Sequence, residues 1–242
     1  TRILGQDRPD RLRIDHVYTS LLPLDTVTKY ARGTFGADEV QTLRAFHSAV
    51  STSGVPAVEL VAGQVFQFDN VKVQVLAARN LDMGPSIRGR DGFLVNNSSA
   101  VLRVSDGHKS ILFLGDLGVE GGQKLLQSPF ADQLPSDYVE MSHHGQNGVD
   151  ELFYQRVRPR YSLWPTSRSI WALPTTQAVY GWMQRLGVLA HFRQFDGLIA
   201  IDVPDADDPP PSRLRIPPHP SGINSTRPRS DRRSTRGQNQ QR

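Results

Sequence analysis

The sequence predicts a layered α/β or α+β fold, because hairpin signals crowd its first half and strand–helix alternation fills its second. A second observation is that two apolar strands each run straight into a short glycine-bearing polar loop, ILFL into Gly115-Asp116 and YVEM into Ser142-His143-His144-Gly145. A third is size and balance: 242 residues, 38% hydrophobic and 21% charged, suit a globular chain with a sizeable core rather than a fibrous or disordered one. There is no cysteine, which excludes disulfides, a thiol nucleophile and thiolate metal ligands.

In chain order, HVYTSLL (16–22) reads as a strand. Residues 38–53 have helical spacing at Val40, Leu43, Ala45, Phe46 and Val50, with Gly54 placed as a C-terminal cap. VFQF and VKVQVLA flank Asp69-Asn70 as a hairpin. Segments 99–104 and 110–114 flank a turn containing Asp106-Gly107, and the apolar run ILFL is expected to be buried on both faces. Then a helix (120–126), a strand (138–141), a helix (149–157) and a strand (161–164) alternate. A helix over 175–186 closed by Gly187 and a last strand LIAIDV (198–203) complete the body.

Two domains of behaviour follow: a folded part over 1–203 and a Pro/Arg-rich tail over 204–242. The tail holds eight of the 17 prolines, eight arginines and four aspartates. It has too little apolar surface to offset the entropy of ordering, so disorder is expected. The whole net charge of +4 therefore sits in the tail and the remaining 203 residues balance to zero, which argues against a basic nucleic-acid groove in the body. If the tail itself binds nucleic acid, binding falls steeply with salt and is lost on deleting Pro204 onward. No apolar run of about 18 residues is present, so no membrane segment is expected, and with no signal peptide visible a cytoplasmic location is expected.

The chemistry-bearing candidates are Asp116 and the His143-His144 pair. Each sits in a loop at the end of an apolar strand, and carboxylate oxygen and imidazole nitrogen are the donors of hydrolytic zinc sites. Taken singly, Asp116 also suits a helix cap and the histidines a solvated pair. His16 reads as a strand residue, His47 as an exposed helix residue, His108 as solvated and His191 as structural. Trp164, Trp171 and Trp182 read as core or cleft-rim residues. Arg88-Gly89-Arg90 reads as a solvated loop, and the triplets at Asn97 and Asn224 match a glycosylation pattern given no weight without a signal peptide.

In order along the chain, Asn96-Asn97-Ser98-Ser99, Gly115-Asp116 and His143-His144-Gly145 resemble the second half of the metallo-β-lactamase superfamily. The branch most resembled includes the C-terminal domain of bacterial DNA-uptake competence proteins. The resemblance runs from about Asp15 to Val203 and is strongest from Asn96 to Thr166. It implies an αββα sandwich with one or two metal ions, usually zinc. Asp116 would be the catalytic carboxylate bridging the metals. His143 or His144 would be a further ligand, with His143 favoured because it directly follows Ser142. Asn97 and Ser99 would shape the pocket or bind substrate. The activity implied is metal-dependent hydrolysis of phosphodiesters, nucleic acids included, or of other small-molecule esters. The superfamily's His-x-His-x-Asp-His signature is absent here. Its place would lie just ahead of Thr1, so the sequence is expected to be truncated at its N-terminus, with the fold incomplete there. The competing expectation is a non-catalytic chain that keeps the fold without a complete metal site, binds zinc weakly or not at all, and is inactive and poorly stable because a sheet edge is left unpaired.

Overall fold

Alternation of apolar and polar side chains builds the larger of the two sheets among the described residues. The computed structural model describes residues 14–30, 33–79 and 95–197, with side chains from 36 onward in the second stretch. The hairpin β3 (Val65–Phe68) and β4 (Val71–Ala77) turns at Asp69, whose φ of 51° is left-handed, as a tight hairpin turn requires. β5 (Val101–Ser105) and β6 (Ser110–Phe113) follow antiparallel, and then β7 (Tyr138–Glu140), β8 (Tyr161–Trp164) and β9 (Ala190–Arg193) pair parallel. The sheet order is β3-β4-β5-β6-β7-β8-β9. A separate parallel pair joins β1 (Val17–Thr19) to β2 (Ala57–Glu59).

The parallel strands need crossovers, and helices supply them. α3 (Val119–Leu126) and α4 (Glu151–Val157) follow β6 and β7, and α5 (Arg168–Trp171) and α6 (Pro174–Arg185) link β8 to β9. Asp150 caps α4 by accepting the Phe153 amide at 2.9 Å. One face of the sheet gives Leu112, Val139 and Trp164 to the main core, where they meet Leu125, Phe153, Tyr154, Val179 and Met183 from α3, α4 and α6. The other face stacks Tyr138 on Tyr161 at 4.7 Å between ring centroids, with Phe192 beside them. The small sheet goes with α1 (Leu24–Tyr30) and α2 (Gly33–Ser53), over a cluster of Leu22, Val27 and Leu43.

Several expectations shift. The strand expected at 16–22 shortens to β1. The ILFL strand alternates rather than being buried throughout, with Leu112 and Leu114 buried and Ile111 and Phe113 half-buried, because its two faces meet different neighbours. His191 lies within β9. α1, α5, β2 and β9 were not anticipated. Arg88-Gly89-Arg90, the strand expected at 198–203 and the tail over 204–242 lie outside the described residues. Among the described residues no helix is long and apolar enough to cross a membrane.

Candidate functional site

The parallel half of the sheet sends the loops after β6, β7 and β8 to one edge, the usual place for sites in such sheets. Pairing of β6 with β7 is registered through Leu112 and Val139. Beyond it Glu140 takes over: its Oε2 accepts the amides of Leu114 and Gly115, each at 3.1 Å. Gly115 has φ of 55° and packs against Ser99, whose Oγ would lie 3.2 Å from an added Cβ. Ser99 Oγ also accepts the Asp116 amide at 3.2 Å. The carboxylate is thus presented by a turn clamped from both sides. Asp116 does not cap α3; the capping position is Gly118.

The second loop is more unusual. His143 and His144 have φ of 49° and 61°, and Gly145 follows at 82°, three left-handed residues in a row. Non-glycine residues avoid this region, so the turn persists only because its surroundings hold it. Those holds are visible. The His143 amide donates to Gly115 O at 2.9 Å, which ties the two loops together. Ser142 Oγ donates to Leu117 O at 2.6 Å, and the Ser142 amide donates to the buried Tyr154 hydroxyl at 3.1 Å. Burial pushes the Tyr154 phenol well above its ordinary value, so it stays neutral there.

His144 Nδ1 lies 2.8 Å from Pro165 O. A carbonyl only accepts, so Nδ1 carries the proton and Nε2 is left bare when the ring is neutral. That bare nitrogen faces Asp116 Oδ1 at 3.7 Å, too far for a hydrogen bond. Two acceptors facing each other suit a cation between them. Two donors at ~2.1 Å from one zinc ion sit roughly 3.4 Å apart, close to this spacing. The carbonyl contact on the far nitrogen is also how metal-ligating imidazoles are commonly oriented. The pair therefore fits two positions of a metal site. Among the described residues, however, no three His, Cys, Asp or Glu side chains gather to hold an ion, so the donor set is not complete there.

Of the remaining candidates, Ser99 holds the Asp116 amide, while the His143 and Asn97 side chains lie apart from the pair. His143 turns toward a cleft of about 790 Å³, lined also by Ser99, Asn96, Ser98, Tyr18 and Leu43, with carboxylates from Asp38 and Glu39. Burial raises the Glu39 pKa. Asn97 is fully buried: its Oδ1 accepts the Gly121 amide at 2.9 Å and its Nδ2 donates to Glu120 at 3.3 Å. Its side chain is held against the start of α3. Glu140, Tyr154 and Pro165 were not singled out from the sequence. Glu140 had a signal, a carboxylate inside the otherwise apolar YVEM strand. The other two had none, since their roles rest on contacts distant in sequence.

No family model matches the chain. It is 33% identical over 111 residues to the uncharacterized protein YcaI of Escherichia coli (strain K12), covering 45% of this chain and 13% of that protein. It is 29% identical over 116 residues to ComE operon protein 3 of Bacillus subtilis (strain 168), covering 48% of this chain and 14% of the relative. The aligned part is thus a small fraction of either relative. Among solved structures, the metallo-β-lactamase fold protein YhfI from Bacillus subtilis has a TM-score of 0.34 and 6% identity, over 57% of this chain and 53% of that one. CmlA, a diiron β-hydroxylase from Streptomyces venezuelae, has a TM-score of 0.38 and 14% identity, over 60% and 35%. The helices and mixed seven-stranded sheet are consistent with the metallo-β-lactamase-like fold that the sequence predicts, and the second relative agrees with its competence-protein branch.

Proposed function

We propose that this chain belongs to a metal-dependent hydrolase of the metallo-β-lactamase fold, acting on phosphodiester or other ester bonds in the whole protein. The observation that carries the reading is the aimed pair: Asp116 Oδ1 and the bare Nε2 of His144, 3.7 Å apart, each presented by a loop clamped on its far side. Zinc is the ion this donor chemistry suits best, since carboxylate and imidazole together are typical zinc ligands. Nucleic acid is within the substrate class implied by the resemblance of Asn96-Asn97-Ser98-Ser99, Gly115-Asp116 and His143-His144-Gly145 to the competence-protein branch.

The second reading is a non-catalytic domain that keeps the fold. Its support is that no third ligand joins the pair among the described residues. The DNA that precedes the Thr1 codon separates the two. An in-frame His-x-His-x-Asp-His within a few tens of codons supports the hydrolase. The longer protein should then hydrolyse bis(p-nitrophenyl) phosphate with added zinc and lose that activity in Asp116→Ala. A start codon or an unrelated sequence there sinks the hydrolase reading and leaves the non-catalytic one.

A further inference from the structure

Behind the His143-His144-Gly145 turn runs a short buried chain of hydrogen bonds. Trp164 is 1% exposed, and its indole N–H donates to Ser162 Oγ at 2.8 Å. Ser162 is fully buried, and its Oγ lies 2.7 Å from Nδ1 of His191, its register partner on β9.

Proton counting fixes the direction of the second bond. An indole nitrogen only donates, and a serine hydroxyl has one proton to give. If His191 Nδ1 also donated, the Ser162 proton would be left without an acceptor in a buried place, which is costly. Ser162 therefore donates to Nδ1, and His191 is the neutral tautomer with its proton on Nε2. Burial, with Arg193 nearby, lowers the His191 pKa and so favours the same neutral form.

Trp164 touches the site in two ways. A Cβ on Gly145 would come within 2.3 Å of the indole six-membered ring, so the glycine backbone rests directly on that ring. The next residue, Pro165, supplies the carbonyl that receives the His144 Nδ1–H. Around the indole stand the rings of Trp171 at 5.1 Å, Tyr180 at 6.1 Å and His191 at 6.5 Å, all edge-on. Ring packing confines an indole but is tolerant of its rotation; the hydrogen bond sets its direction.

We infer that the Trp164–Ser162–His191 chain is the device that aims His144 at Asp116, with Trp164 as a positioning residue. This rests on the reading of Asp116 and His144 as the working pair. A tilt of the indole moves both the floor under Gly145 and the carbonyl at Pro165, and the His144 ring follows.

The test is to read histidine tautomers in the full ¹⁵N-labelled chain by two-bond ¹H–¹⁵N correlation. In the unmodified protein His144 should be a single Nδ1–H tautomer and His191 a single Nε2–H tautomer. His191→Phe keeps a ring and removes the acceptor, and His144 should lose its single tautomer. His191→Asn returns an acceptor near the position of Nδ1 and should restore it. Ser162→Ala, which breaks the chain at its middle, should repeat the loss and serves if the phenylalanine variant does not fold. An unchanged His144 in a folded His191→Phe or Ser162→Ala protein overturns the inference. So does an equal loss in the Phe and Asn variants, or a different His144 tautomer at the outset. The readout needs neither metal nor substrate. A correct tautomer response together with no hydrolysis by the longer protein sinks the functional reading alone, and unchanged tautomers sink the positioning alone.

Discussion

The two longest helices among the described residues behave in opposite ways. α2 runs for 21 residues, yet among its described side chains only Leu43 joins a buried cluster. α6 runs for 12 residues and buries Thr176, Val179 and Met183. The contrast extends to their surroundings. The cluster beneath α1 and α2 has three buried members, Leu22, Val27 and Leu43, whereas the core beneath α3, α4 and α6 draws on every strand from β4 to β8. A small buried cluster around Leu43 holds α2, and burial of a broader apolar face holds α6. The site is built on the well-packed side. Its second histidine, His143, together with Ser99, looks out across the seam into the cleft on the loosely packed side. Rigid support on one side and open space on the other is the arrangement a binding or catalytic edge needs.

The sharpest way to break this comparison uses two left-handed glycines. Gly145→Ala forces a Cβ into the Trp164 ring as well as strain at φ of 82°, and should cost roughly 2–5 kcal/mol. Gly54→Ala, at φ of 69° with nothing within 4 Å, should cost about 1 kcal/mol. Urea unfolding of both variants checks this, and equal losses would mean the two sides are packed alike. A second pair is Leu112→Ala and Leu43→Ala. Leu112 is fully buried under helices on the main core, so roughly 2–5 kcal/mol should be lost. Leu43 sits in a small cluster that can collapse, so its loss should stay near ~1–2 kcal/mol.

A smaller effect is expected from Tyr154→Phe, which leaves the buried Ser142 amide without an acceptor. About 1–3 kcal/mol should be lost, and hydrogen exchange of that amide should rise while α2 exchange stays the same. The smallest concerns acid. Because the His191 pKa is lowered in the folded chain, the unfolded chain takes up that proton first. The stability due to neutral His191 is complete above the ordinary value of 6.5 and is lost as pH falls from there through the lowered folded value. In His191→Asn, the plot of stability against pH should be flatter over that interval. An unchanged slope would place the titration elsewhere.

Much of the architecture was legible because it is local. The turns at Asp69-Asn70 and Asp106-Gly107, and the glycines that end α2 and follow α6, are read from a few adjacent residues, and they stand where expected. β9 and β2 were missed for the opposite reason. Ala190–Arg193 and Ala57–Glu59 are short, and they become strands through their partners β8 and β1. The same division runs through the site. Gly115-Asp116 and His143-His144 announce themselves by following apolar strands. Glu140, Tyr154 and Pro165 act by reaching across from other elements.

The sequence by itself determined the fold class, the strand ends that carry Asp116 and the histidine pair, and the neutral charge of the body. Apolar periodicity, turn chemistry and composition act over a few residues and need no partner to be read. Only the tertiary structure decided which imidazole faces the carboxylate. His143 and His144 are neighbours of the same chemical type, and nothing local distinguishes them. The left-handed backbone of their turn, fixed by Trp164, Tyr154 and Gly115 from three other elements, sends His144 to Asp116 and His143 to the cleft. The same long-range contacts buried Asn97 against α3, where its side-chain amide holds the helix start.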